Sequence, residues 1–279
     1  MILLDGRKLA EKILSGLREE IVKRKKLLRL AVVVVGENPV TLKFIEQKTK
    51  VAKSIGVDVR VYHFKEGVTT NALRKNIAAI VREKKNSGVV IQLPLPPHIN
   101  SQYILNAVPS EKDADVLSAK ALGNFFVGKA AVLPPVVGAV KALFKEYNID
   151  CRGKNIAVAG AGRLVGKPVV AWLINETGTV SIVNEFTKDI TQFTRGADII
   201  ISGVGKPKLI TGDMVKEGVV VIDAGTSEAG GKIAGDVDFD SVSGKAAYIT
   251  PVPGGIGPVT VAMLLDNLVT LSKQKRQTE

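Results

Sequence analysis

The stretch NIAVAGAGRLVGKPVVAWLIN, residues 155–175, decides the fold. An apolar run enters a turn containing Gly160, Gly162 and Gly166 and leaves as a segment with helical spacing. Glycines at a strand-to-helix turn let a pyrophosphate approach the main chain, where the amides of the helix N-terminus point at it. The spacing here is GxGxxxG, one residue longer than the common fingerprint. The next apolar run, TVSIV (179–183), ends in Asn184-Glu185, where an acid that binds a ribose hydroxyl is expected. These residues predict a nucleotide-binding turn built from Gly160, Ala161, Gly162, Arg163 and Gly166, with Glu185 beside it. A phosphate loop of the ATPase kind does not fit, because Lys167 is followed by Pro168 and supplies no metal-binding hydroxyl.

Outward from this turn, apolar β-branched runs alternate with helical patterns. NIAVAG, TVSIV, ADIIISGV (197–204), VVVIDAG (219–225) and AAYITPV (246–252) form one series. RLAVVVVG (29–36), VDVRVYHF (57–64) and GVVIQLPL (88–95) form an earlier one, with helices expected over 39–55 and 70–85. Continuous apolar strands of this kind belong in parallel sheets covered on both faces by helices. The fold class is therefore α/β, parallel-sheet based, with a Rossmann-type second domain. The loop-rich stretch 109–135, with Pro109, Pro134 and Pro135, marks the junction. The expected division is a first domain over 1–136, a dinucleotide-binding domain over 137–257, and a C-terminal helix over 258–279 that packs back on the first domain.

Composition narrows the function. Lys plus Arg is 39 against 27 for Asp plus Glu, a net charge of +12 that suits an anionic partner. Part of this excess lies in solvated-looking runs, KRKKLLR (23–29) and KQKR (273–276). Aromatic residues are only 5%, with no basic stripe carrying stacking rings, so nucleic-acid binding is disfavoured. The one cysteine, Cys151, excludes an internal disulfide framework and fits a reducing compartment. With His63 and His98 the only histidines, a His/Cys zinc cluster is not available. No apolar run reaches membrane-spanning length and MILLDGRKLAEK lacks a signal-peptide core, so a cytoplasmic protein without membrane partner or metal is expected.

Two further stretches carry chemistry. In ENPVTLKFIEQKTKVAKSIG (37–56), Asn38 reads as the helix cap, Pro39 as its first residue and Gly56 as its stop. At 100° per residue, Phe44, Val51, Ala52 and Ile55 share a stripe with Lys48 in its middle, while Lys43 and Lys50 point away. A lysine there either snorkels to solvent or is held in a pocket that favours the neutral amine, a base. In TPVPGGIGPVT (250–260), three prolines and three glycines make a rigid loop: a tight turn, or a wall against which a flat ligand lies.

Taken together, LDGRKLA, VGENP, GVVIQLPLP, KDADVL, VGKP, ADIIISGVGKP, GDVDF and TPVPGGIGPVTVAMLL run through nearly the whole chain. On them the chain resembles the methylenetetrahydrofolate dehydrogenase/cyclohydrolase (FolD) family. The resemblance implies oxidation of methylene- to methenyl-tetrahydrofolate with a nicotinamide dinucleotide, then hydrolysis to formyl-tetrahydrofolate, in one-carbon metabolism. It makes the first domain the folate-binding, catalytic one. It also implies Lys48 as the base, Gln92 as a hydrogen-bonding partner in the reacting site, and Asp115 as the acceptor for pterin N–H groups. Without the resemblance, Asp115 reads first as a loop carboxylate capping local amides. The same resemblance lines the folate site with Phe44, Ile91, Leu93 and Pro253, Gly254, Gly255, Ile256 and Gly257, places Thr226 with the dinucleotide site, and implies a homodimer.

The chain departs from the family pattern at Phe44, where a tyrosine is usual, and at Leu133-Pro-Pro-Val136. It departs again at Ala161-Gly162, where Arg-Ser is usual, and at Val183-Asn184-Glu185, where Cys-His-Ser is usual. The family points to NADP, whereas Ala161 and Glu185 suit the free ribose of NAD. The residues also fit another Rossmann oxidoreductase acting on a small imine or carbonyl, or a family descendant with weakened or lost activity.

Overall fold

A computed structural model describes residues 1–24, 27–176, 178–229 and 232–274. Lys25 and Lys26 of the first basic run, and Lys275 and Arg276 of the second, lie outside them. The chain begins β1 (Ile2–Leu3), α1 (Gly6–Val22), β2 (Arg29–Val35), α2 (Pro39–Ser54), β3 (Asp58–Phe64), α3 (Thr70–Arg82), β4 (Gly88–Ile91), α4 (Ser101–Leu105), α5 (Ala119–Phe126) and α6 (Pro135–Glu146). It continues β5 (Asn155–Ala159), α7 (Gly166–Asn175), β6 (Thr179–Val183), α8 (Thr191–Thr194), β7 (Ile199–Ser202), β8 (Val220–Asp223), β9 (Ser227–Ala229), β10 (Lys232–Ala234), α9 (Phe239–Ser243), β11 (Tyr248–Ile249) and α10 (Ile256–Gln274).

The elements form two compact units. One holds residues 12–135 with residues from 261 onward; the other holds residues 1–11 and 136–260. The first carries a parallel sheet of order β3-β2-β4. Because side chains alternate across a strand, the unbroken apolar run of β2 feeds two cores at once. Leu30, Val32 and Val34 pack with Leu17 and Ile21 of α1, Ile45 and Ala52 of α2, and Leu264, Leu265 and Leu268 of α10. Ala31, Val33 and Val35 pack with Leu73, Ile77 and Ile80 of α3 and with Ile104 of α4.

The second unit carries a parallel six-stranded sheet of order β1-β11-β8-β7-β5-β6. One face buries Ala157, Ala159, Ile200, Val221 and Ile249 with Ile210 and Val242. On α7, Trp172 meets Phe144 of α6 edge-on, with ring centroids 5.9 Å apart.

Several features differ from the sequence reading. Residues expected to open the first domain, Ile2 and Leu3, pair with Tyr248 and Ile249 and so belong to the second sheet; a two-residue strand is too short to show a period. The antiparallel pair β9–β10 also went unread. Within the loop-rich junction a helix forms, because Ser118 caps it through Ala121 N–H and Ala121 and Phe125, four residues apart, give it a buried face. Helix α10 starts at Ile256, two residues earlier than expected, with Pro258 in its first turn. At α2, Asn38 accepts from Thr41 N–H as cap. Its end is a Schellman turn: Gly56, at φ 85°, and Val57 donate to Lys53 and Ala52 carbonyls.

Asn267, 3% exposed, ties α10 to the loops beside the first sheet in two places: its amide donates to the Ala114 carbonyl at 2.9 Å and the Leu133 carbonyl at 2.7 Å. Replacing it by alanine strands two buried carbonyls. Asn267→Ala is expected to lower unfolding stability by about 2–4 kcal/mol, read from urea denaturation; a loss under about 0.5 kcal/mol would show that water replaces both bonds.

Candidate active site

In each sheet the chain leaves a central strand toward one neighbour and returns on its other side. The loops beyond the carboxyl ends of those strands then diverge and open a crevice, where α/β proteins bind ligands. In the first sheet the divergence lies between β2, which leads to β3, and β4.

Strand β4 and the helix that follows β2 each deliver a predicted residue. Gln92 follows β4 directly, and its N–H extends the ladder by one bond to the Val33 carbonyl at 2.9 Å. Its side-chain Nε2 donates to the Leu93 carbonyl at 2.7 Å, which leaves Oε1 to accept from Lys48 Nζ at 3.0 Å. Lys48 comes from α2, on the same stripe as half-buried Phe44 and Val51; Lys43 and Lys50 are exposed, as the periodicity required. The stripe also contains buried Thr41 and Ile45, which the sequence reading left out. Ile91, 3% exposed, turns its side chain into the core with Leu93 packed against it, so the Ile91 side chain is not open to a ligand.

Asp113 and Asp115 part company. Asp113 Oδ2 accepts from Leu117 N–H at 3.0 Å and Ser118 N–H at 2.8 Å, fixing the turn. Between them and Leu117, Val116 adopts φ 55°, an uncommon and strained conformation for a β-branched residue. Asp115 is left half-buried, its carboxyl raised above the ordinary range by burial, with the Lys48 ammonium opposing the shift and the Asp113 carboxylate adding to it. A lysine, a glutamine amide and a desolvated carboxylate thus converge at the end of one parallel sheet.

In the second sheet the divergence lies between β5, which leads to β6, and β7. Gly160 takes φ 97°, and a Cβ there would stand 2.7 Å from the Gly203 carbonyl oxygen; one on Gly166 would stand 1.8 Å from the Gly160 carbonyl oxygen. Nothing lies within 4 Å of where a Gly162 Cβ would be, so this glycine leaves its backbone open from outside. That is the property a pyrophosphate needs, and the turn fits a dinucleotide. Arg163 and Glu185 are exposed, Ala161 is half-buried and Thr226 is exposed just beyond β8. In the proline-glycine loop Gly254, Gly255 and Ile256 are buried, the Gly255 carbonyl pressed against Gly6, while Pro253 and Gly257 are exposed.

Sequence reasoning missed the polar network at this crevice. Asp236 Oδ2 accepts from Ser202 Oγ and Val204 N–H, both at 2.7 Å, and its Oδ1 accepts from Gly205 N–H at 2.8 Å and Lys206 N–H at 2.9 Å. Asp223, the last residue of β8, accepts from Gly225, Asp236 and Val237 N–H. The only signal was an aspartate at a strand end and another in GDVDF. Among the described residues no group of three or more His, Cys, Asp or Glu could hold a metal, and no helix is long and apolar enough to cross a membrane.

Two family descriptions match the chain: the catalytic domain of tetrahydrofolate dehydrogenase/cyclohydrolase over residues 4–115, and the NAD(P)-binding domain of the same enzymes over residues 134–276. The Bifunctional protein FolD of Nautilia profundicola is 44% identical, with 98% of each chain covered. The crystal structure of the bifunctional FolD enzyme from Campylobacter jejuni superposes with a TM-score of 0.95 at 41% identity, covering 99% of both chains. The Trypanosoma brucei dehydrogenase-cyclohydrolase, complexed with NADP and an inhibitor, gives 0.94 at 34% identity, covering 99% of this chain and 98% of that one.

Asp223 supplies a pH test of the second crevice. Burial, opposed by its three backbone bonds, raises its carboxyl from 3.8 to about 6. The folded state thus binds this proton more tightly than the unfolded state. The associated stability, about 3 kcal/mol for a shift of this size, is complete below the unfolded value and lost as pH rises through about 6. A carboxyl-carbon NMR titration is expected to place Asp223 near 6; a midpoint in the ordinary aspartate range would mean that its backbone donors outweigh burial.

Proposed function

The chain belongs to the tetrahydrofolate dehydrogenase/cyclohydrolase family, and from that premise we propose how its residues share the work and which dinucleotide it accepts. The enzyme oxidises methylene-tetrahydrofolate to methenyl-tetrahydrofolate with a nicotinamide dinucleotide, then hydrolyses the product to formyl-tetrahydrofolate, in one-carbon metabolism. The dinucleotide, when bound, supplies the hydride acceptor.

The observation that carries the division of labour is the Lys48–Gln92 hydrogen bond. Oxidation needs the folate carbon held in place but no proton from a side chain. Hydrolysis needs a water proton removed as the water attacks the methenyl carbon, and Lys48 is the base on the stripe. Gln92, anchored at both ends of its amide, keeps the Lys48 amine from swinging to solvent. Asp115 accepts hydrogen bonds from the pterin ring, and its burial strengthens them. Phe44 stacks against the folate without the hydroxyl a tyrosine would add. Leu93, beside Gln92, borders the same substrate. Lys48→Met is expected to cut hydrolysis by at least about a hundredfold while part of the dehydrogenase activity survives. Absorbance-followed turnover of each step separates the two; hydrolysis that persists would remove Lys48 from this role.

For the dinucleotide, we assign Gly160, Ala161, Gly162, Arg163, Gly166 and Thr226 to the phosphate and ribose side, with Glu185 reading the adenosine ribose. A carboxylate at the end of the second nucleotide-binding strand accepts from a free 2′-OH and repels a 2′-phosphate. Asn184 holds that position: its Oδ1 accepts from Phe186 N–H at 3.0 Å while Thr187 Oγ1 accepts from Asn184 N–H at 3.0 Å. NAD is therefore used at least as well as NADP.

A homodimer is the assembly this reading favours. Strand β6 is an edge of the six-stranded sheet, with Ile182 45% exposed on it and Phe186 84% exposed in the turn that follows, the kind of edge that a second copy covers. The buried thiol of Cys151 suits the cytoplasm. Glu185→Ser combined with Ala161→Arg is expected to move cofactor preference toward NADP by about tenfold or more, from one or two new charge-assisted contacts. Parallel kcat/KM measurements with the two dinucleotides check it, and a wild-type enzyme that strongly prefers NADP would instead make Arg163 the phosphate ligand.

A further inference from the structure

The loop Gly203–Lys206 leaves β7 at the divergence point of the second sheet, opposite the glycine turn that leaves β5. It is the other wall of the dinucleotide crevice. The two walls touch main chain to main chain. A Cβ on Gly160 would meet the Gly203 carbonyl, and one on Gly203 would lie 2.3 Å from Val165 Cγ1. The placement of this loop therefore sets the width of the crevice.

Its shape is imposed from behind. Three consecutive amides, of Val204, Gly205 and Lys206, turn inward onto one carboxylate, and the Ser202 hydroxyl adds a fourth donor. Consecutive amides pointing at one centre form an anion-binding nest, and here the anion is the chain's own Asp236, which is fully buried. Asp236 is in turn held by neighbours. Its own N–H and that of Val237 donate to Asp223, and Asp223 N–H donates to Thr250 Oγ1 at 2.7 Å. Gly225 packs so closely on Asp236 that a Cβ there would stand 2.2 Å from the carboxyl carbon. The network ties the carboxyl ends of β7, β8 and β11 together and leaves Asp236 one position.

We propose that Asp236 is a positioning residue for dinucleotide binding: its carboxylate fills the Val204–Lys206 nest and so fixes the wall against which the cofactor docks. With the carboxylate gone, the nest amides turn toward solvent and the wall loses its register with the glycine turn. The inference rests on the dinucleotide reading of this crevice and adds a residue that touches no ligand.

Asp236→Asn keeps the shape but can accept at only one of its two terminal atoms. Titration of the full-length protein with NADH and NADPH, followed by fluorescence, is expected to show a Kd raised about tenfold or more, the scale of losing charge-assisted bonds. The dinucleotide KM rises in step while kcat at saturation and dinucleotide-free hydrolysis of methenyl-tetrahydrofolate stay within about threefold. A merely structural role would instead depress both activities together. Ser202→Ala, which removes one donor and leaves the carboxylate, is expected to raise Kd about threefold and decides the matter if the first variant does not fold. Unchanged Kd in a folded variant, or parallel loss of hydrolysis, would overturn the proposal. A wild-type protein that binds neither dinucleotide would overturn the cofactor reading with it.

Discussion

Backbone amides in the loops that leave parallel strands have no ladder to join, yet these loops lie against the core, where an unpaired N–H is costly. This chain satisfies them with aspartate carboxylates. Asp113, beside Val89 of β4, takes two amides; Asp223 takes three and Asp236 three more at the end of the second sheet. Each is at most 3% exposed. A carboxylate has about four acceptor sites and spends no donor of its own, so it can gather a loop around one point. The irregular geometry at both crevices depends on this constraint.

The same constraint separates two neighbouring acids by role. Asp113 and Asp115 are both raised by burial, but Asp113 recovers part of that cost through the amides it holds, whereas Asp115 is offset chiefly by Lys48. The strained Val116 lets Asp113 reach inward to Leu117 and Ser118 while Asp115 stays beside the lysine. One acid is occupied by the fold and the other stands beside Lys48. A substrate N–H that meets Asp115 would relieve a desolvation that the folded chain already carries.

Much of this was legible in the residues. The unbroken apolar run of β2 announced a strand buried on both faces, and the glycine turn after NIAVA announced the second sheet. The caps of α2 and the face carrying Lys48 followed from local chemistry, because their causes lie within a few residues. What escaped reading depends on contacts far apart in sequence. Strand β1 is two residues long and exists only because Tyr248 and Ile249 run beside it. Asp236 reaches Ser202 across 34 positions, and nothing around GDVDF distinguishes such an anchor from an ordinary loop acid. Whether Asp115 caps local amides or faces away from them was open for the same reason: its direction is set only where Val89 pairs beside Asp113.

Glycines show how the two kinds of information can be separated. In the nucleotide turn, Gly160 and Gly166 are required by the chain itself, since a side chain at either would strike main chain. Gly162 between them meets nothing within 4 Å, and the protein alone gives no reason for it. The proline-glycine loop repeats the pattern. Gly255 would strike the Pro251 carbonyl at 2.6 Å, whereas Gly257 is open. A glycine that packing demands reports on the fold; one that packing leaves free, inside a signature otherwise fixed by packing, keeps main chain accessible for something the chain does not contain. By that criterion Gly162 and Gly257 leave main chain open inside their stretches, and both belong to stretches that the sequence had already set apart.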